Sequence, residues 1–127
     1  MAALDAHITA MDLAVEADDP KLSDERRREL FLAASEVEET AAKLLLENDS
    51  NSHLTAGVLY RSAAWLAIDG EDYARGIRLA GIGLDLKNLA PEIRKELFDC
   101  AEAALELAKN PKTSNEKWLV DTILAKR

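Results

Sequence analysis

The sequence predicts an all-α domain of about six helices, arranged as antiparallel hairpins or a helical bundle. Three observations carry that expectation. Apolar residues recur every three or four positions over most of the 127 residues, and no stretch alternates with period two for long enough to make a strand. Leu, Ala, Glu and Lys dominate while Val, Thr and aromatic residues are few, a composition that favours helix over sheet. The three prolines, Pro20, Pro91 and Pro111, all fall between periodic segments, where a missing N–H does least harm.

Leu4, Ile8, Met11 and Val15 recur at helical spacing and define a first helix, stopped by "DDP" at 18–20. Ser23 is a good N-cap, and Asp24 and Glu25 follow in the first turn, where the helix dipole favours acids. A second helix then runs from about 24 to about 47, with Leu30, Ala34, Val37, Ala41, Leu44 and Leu45 on its buried face. "NDSNS" at 48–52 reads as loop. A third helix covers about 53–69 and a fourth about 72–87. Pro91, at a first-turn position, opens a fifth over about 90–109. "NPKTS" breaks it, Ser114 caps a sixth, and that helix continues through Trp118, Leu119, Ile123 and Leu124. "DPKLSDE" at 19–25 echoes "NPKTSNE" at 110–116, either as an internal repeat or as a common way to end one helix and cap the next. No linker or low-complexity tract divides the chain, so residues 1–127 read as one domain.

The formal charge of −8 excludes several classes of partner. A nucleic-acid binder needs surplus cations to neutralise phosphates, and this chain has none to spare. "RRR" at 26–28 spreads around its helix and is flanked by Asp24, Glu25 and Glu29, so it makes no basic patch. An acidic balance suits solubility or a basic protein partner. Cys100 is the only cysteine, so no internal disulfide can form. The N-terminus lacks the basic start and apolar run of a signal peptide, and no apolar run nears the roughly 20 residues of a membrane span. The expectation is a cytoplasmic protein that binds neither nucleic acid nor membrane.

All five glycines lie between Gly57 and Gly83. On the fourth helix Gly76, Ala80 and Gly83 form one smooth stripe, and each mid-helix glycine costs up to about 1 kcal/mol against alanine. Such a cost is tolerated where a neighbouring backbone must come close. The third helix offers Ala56, Leu59, Ala63, Leu66 and Gly70 along one side, and "DGED" joins the two. The pattern is a tight antiparallel hairpin.

This hairpin, residues 54–87, resembles the tetratricopeptide repeat, which pairs two antiparallel helices through small residues at set positions. Ala63 stands at the small position of the first helix, Gly70 and Tyr73 at the turn with one extra residue, and Gly76 and Gly83 at the two small positions of the second. The chain departs from the pattern at Leu59, where the family has tryptophan, and at Pro91, which comes late. The run of Arg-Ser-Ala-Ala, Gly-x-x-Tyr, Arg-Leu, Gly-Leu and Pro-Glu-Ile is also similar to that of small uncharacterised bacterial helical proteins. The resemblance implies a stack of helical hairpins that binds other proteins.

Arg61 stands out within the third helix. Thr55, Ser62 and Asp69 form a narrow polar seam at heptad spacing, but Arg61 sits off it among Leu54, Val58, Trp65 and Ile68. No acid lies three or four residues away, and an unpaired buried charge is very costly. Its partner is therefore an acid elsewhere in the fold, with Trp65 adding a cation–π contact, or it belongs to another subunit or a ligand. Val58, Arg61 and Trp65, together with Trp118 on the last helix, are the candidate partner-binding residues.

Other chemistry-bearing residues assemble nothing sharper. Glu92, Glu96, Asp99, Glu102 and Glu106 share one face of the fifth helix, as a solvated surface or a strip for a basic partner. His7 and His53 lack a metal-ligand spacing, and Cys100 sits at the edge of an apolar face with no basic activator. No catalytic constellation or cofactor motif is legible. The expected function is a non-catalytic interaction module whose partner is a protein, a peptide or a second copy of the chain. A small acidic chaperone for a basic or aggregation-prone client, or a subunit completing another enzyme's site, are the alternatives.

Overall fold

The computed structural model describes residues 2–48 and 52–109. They form five helices and no strand: α1 (Ala3–Ala17), α2 (Asp24–Asn48), α3 (His53–Asp69), α4 (Tyr73–Leu84) and α5 (Pro91–Ala108). The all-α class is thus observed. The expected sixth helix, with Ser114 and Trp118, lies outside the described residues.

The helix ends follow local chemistry. Ser23 Oγ accepts from the Arg26 N–H at 3.1 Å and starts α2. Arg27 reaches back so that its Nε donates to the Ala17 carbonyl at 3.3 Å, satisfying an orphan acceptor at the end of α1. The Asp72 side chain accepts from the Arg75 N–H at 3.0 Å, so Asp72 caps α4 and Tyr73 opens it. That helix stops at Leu84, three residues short of the expected end. Ala90, preceding Pro91, must be extended (φ −62°, ψ 141°), and the turn before it needs Asn88 in the left-handed region at φ 59°. Those demands consume the residues that periodicity alone assigns to α4.

Gly70 ends α3 at the turn into α4. Gly70 keeps an ordinary φ of −82°, and the left-handed residue is Glu71 at φ 63°. What requires glycine at 70 is space: a Cβ there would meet Leu32 Cδ2 at 2.7 Å and the Arg28 carbonyl oxygen at 3.2 Å. Glu71 then pairs with Arg28 at 3.1 Å, tying the turn to α2.

Contacts between named residues set the arrangement. Ser35 bonds Ala63, Glu38 bonds Ser62, and Leu32 abuts Gly70, so α2 runs antiparallel to α3. Gly76 faces Ile68 while Gly83 faces Tyr60, so α4 also runs antiparallel to α3. Ile93 approaches Gly57 and Glu96 pairs with Arg61, placing α5 parallel to α3. Two layers result: α1, α3 and α5 in one, α2 and α4 in the other. Each helix packs on the next in sequence, and α5 returns to α3.

Small residues make these approaches close. Ala63, Gly76, Ala80 and Gly83 are buried, as the glycine stripe requires, and Tyr73 packs at the edge of the same core. Leu79, Leu97 and Cys100 fill the centre. On α1 the residues turned inward are Ala6, Ala10 and Ala17. Leu4, Ile8 and Val15, whose spacing marks the helix, point into solvent.

Candidate protein-interaction surface

The polar interior is the first feature that hydrophobic periodicity did not reveal. Ser35, Glu38 and Glu39 lie on the face of α2 that packs on the rest of the fold, and all three are buried. Glu38 is 0% exposed. One carboxylate oxygen accepts from His7 Nδ1 of α1 at 2.7 Å and the other from Ser62 Oγ of α3 at 2.8 Å. This single side chain therefore fastens three helices. Ser35 Oγ donates to the Ala63 carbonyl at 2.7 Å and accepts from Arg75 Nε at 3.1 Å.

Glu39 sits beside this group and receives two arginines of α4 and a lysine of α2. Arg75 Nη2 lies 2.7 Å from its Oε1, Arg78 Nη2 3.2 Å from the same atom, and Lys43 Nζ 3.3 Å from Oε2. Burial raises the pKa of this carboxyl, but bonds from Arg78 and Lys43 outweigh it and hold the group below its ordinary value of 4.5. The same neighbourhood acts on Tyr60, whose hydroxyl is pushed up by burial and by the Glu39 charge. Among the described residues no buried side-chain nitrogen or oxygen lacks a hydrogen-bond partner. A satisfied network of this kind fixes helix register at the cost of desolvating its charges. The signal for it in the sequence is "SEVEE" at 35–39, polar residues at positions where the helical period calls for apolar ones.

Chemically the cluster is a brace. A hydroxyl nucleophile needs a base within hydrogen-bond reach, oriented by a third group. Here Ser62 bonds the carboxylate, and the imidazole bonds the other side of that carboxylate. The Cys100 thiol is fully buried, and burial with the nearby Asp69 charge pushes it up to about 12, far from the thiolate form. His53 Nδ1 accepts from the Lys87 backbone N–H at 3.1 Å and steadies the α4–α5 connection. Among the described residues no group of three or more His, Cys, Asp and Glu is placed to hold a metal ion.

The second feature is the outer side of the α1/α3/α5 layer. Leu4, Ile8 and Val15 are 67%, 50% and 73% exposed, with Met11 half-buried in the same line. On α3 the matching line is Leu54, Val58, Arg61 and Trp65, with the same spacing of four, three and four residues. Leu54 and Trp65 are exposed, while Val58 and Arg61 are half-buried. Between the two lines His7 and Ser62 turn toward each other over Glu38.

Of the candidate partner residues, Val58, Arg61 and Trp65 therefore share one surface, and Trp118 lies outside the described residues. Arg61 finds its acid within the fold, pairing with Glu96 of α5. The "RRR" arginines are likewise engaged: Arg26 with Glu29, Arg27 with Asp24 and Arg28 with Glu71. On the acidic face of α5, Asp99 pairs with Lys95 and Glu106 with Lys109, both at the surface. Among the described residues no helix is long and apolar enough to cross a membrane. Compared with family models, curated proteins and solved structures, the chain matches none of them.

Proposed function

We propose that this chain is a non-catalytic protein–protein interaction module, a tetratricopeptide-like stack of helical hairpins that binds through the outer side of its α1/α3/α5 layer. The observation that carries this reading is the pair of parallel apolar lines, with Leu4, Ile8 and Val15 exposed beside half-buried Met11 on one and Leu54 and Trp65 exposed beside half-buried Val58 on the other. Large apolar side chains gathered in solvent on one side of a soluble domain mark a contact site. The sequential packing of the helices, with α5 returning to α3, supports the hairpin-stack reading. Aromatic and arginine side chains at such a surface, here Trp65 and Arg61, are the types that dominate binding energy.

The test is capture of partners from native lysate by the wild-type chain, and by Ile8→Ser and Trp65→Ala variants, alongside solution mass of each. Both substitutions fall on exposed positions and should leave the melting temperature within a few degrees. The reading requires a partner, or a dimer, that the wild type holds and the variants lose. Equal recovery by all three chains would refute this surface as the binding site.

A further inference from the structure

We infer that the α1 line is a docking strip for a basic amphipathic helix of another protein, an inference that rests on the interaction reading above. Helical geometry, at about 100° per residue, places Leu4, Ile8, Met11 and Val15 within roughly 60° of one another. Their spacing of four, three and four residues is that of a seam which receives a second helix side by side. What lies beside the seam selects the occupant. On the flank away from α3, Asp5, Asp12 and Glu16 follow one another along α1, all exposed, and α1 carries no lysine or arginine. Among the described residues none of these three acids has an ion-pair partner within reach.

Beyond the α3 line, α5 presents Glu92 in solvent, while its Asp99 is paired with Lys95. Inside the surface, Arg61 is held by Glu96. The face is therefore apolar at its centre and negative along its α1 margin. A second copy docking by α1 on α1 would bring two such acidic flanks together, and like charges across an interface suppress that pairing. A helix with an apolar stripe bordered by lysine or arginine meets the same surface with opposite charge along the α1 margin. Helix-in-groove recognition of this kind reads anchors at i, i+3 or i+4 and i+7, which is the spacing the strip presents.

The probe is a synthetic helical peptide of about four turns, built from Leu, Ala and Lys with all lysines bordering one leucine stripe. Its two controls carry Glu in place of Lys, or the same residues in an order that abolishes the stripe. Titration is followed by fluorescence anisotropy against the full chain. The lysine peptide should bind at least about tenfold tighter than either control, and more weakly as salt is raised. Ile8→Ser and Val15→Ser should each weaken it several-fold, and Asp12→Lys combined with Glu16→Lys should shift preference toward the glutamate peptide. Circular dichroism melts of the variants keep loss of binding separate from loss of fold.

Equal binding of the lysine and glutamate peptides would overturn the proposal, as would lysine-peptide binding indifferent to the strip substitutions. A concentration-dependent dimer abolished by Ile8→Ser would overturn it too, by assigning the strip to a second copy. If the wild type captures a protein that Ile8→Ser loses, yet shows no preference for the lysine peptide, the partner class fails and the interaction reading stands. Absence of both capture and peptide binding removes both.

Discussion

Two glycines of α4, only two residues apart, should respond to alanine with opposite signs. Gly81 is exposed, and a Cβ built on it would meet nothing within 4 Å. Alanine there stiffens the unfolded chain and improves helix propensity, so Gly81→Ala should stabilise the fold by roughly 0.5–1 kcal/mol. Gly83 has the same propensity to gain but no room to gain it. Its Cβ would lie 2.9 Å from Leu97 Cδ2, 3.1 Å from Leu97 Cδ1 and 3.2 Å from Tyr60 Cβ. Leu97 is 0% exposed and Tyr60 is buried, so neither can swing into solvent to relieve the clash. Overpacking a closed core costs about 1–3 kcal/mol, which exceeds the propensity gain, and Gly83→Ala should destabilise by up to about 2 kcal/mol. Gly83→Leu should cost more. For a chain of this size each kcal/mol moves the melting temperature by several degrees, about 3–7 °C. Thermal melts by circular dichroism, checked by urea titration with constant slope, would resolve the two shifts. Should Gly83→Ala melt as high as Gly81→Ala, the close approach of α4 to α3 and α5 would be wrong.

Three further outcomes follow from the polar interior and the surface. Glu39→Gln leaves Arg75 and Arg78 facing a neutral amide and should cost about 1–3 kcal/mol at pH 7. Because the folded Glu39 titrates below its ordinary 4.5, its contribution is complete above that value and is lost as pH falls through the lower folded one. The variant should accordingly show a shallower loss of stability than wild type below about pH 4.5, measured by urea titration at each pH. Cys100, buried and with its thiol pushed up to about 12, should resist iodoacetamide at pH 8 in the native state and react fully in denaturant; native labelling at an unfolded rate would place it outside the core. Arg61 and Glu96 keep substantial solvent exposure, so a double-mutant cycle to alanine should give a coupling under about 1 kcal/mol, and a value above about 2 would mean the pair is more deeply desolvated than its surroundings indicate.

The helices themselves were legible in the residues because their signals are local. A 3.6-residue period, Ser23 as a cap and Pro91 at a first turn each act over a few positions, and α2, α3 and α5 end within a residue or so of where they were expected. The glycine stripe on α4 was legible for the same reason: the cost of mid-helix glycine is intrinsic to the chain, and only close packing offsets it. Where the local rule depended on what came next, it failed. The demands of Asn88 and of Ala90 before Pro91 shortened α4.

Which face of a helix is buried is a property of its neighbours. α1 has two sides able to face a core, a line of large apolar residues and a line of alanines. Only the alanines let α1 approach α2 closely enough for His7 to reach Glu38, so the larger residues were left outside. The partner of Arg61 was equally beyond local reading, because Glu96 lies 35 residues away and meets it only once α5 has folded back along α3. The buried trio of Ser35, Glu38 and Glu39 breaks the helical pattern for a reason visible only in three dimensions: its hydrogen-bond partners come from α1, α3 and α4. Sequence alone settled helical class, most boundaries and the small-residue hairpin, since these rest on backbone propensity and steric size. Tertiary structure alone decided the polar brace and the exposed apolar face, since a buried charge and an unburied leucine are each defined by what packs against them.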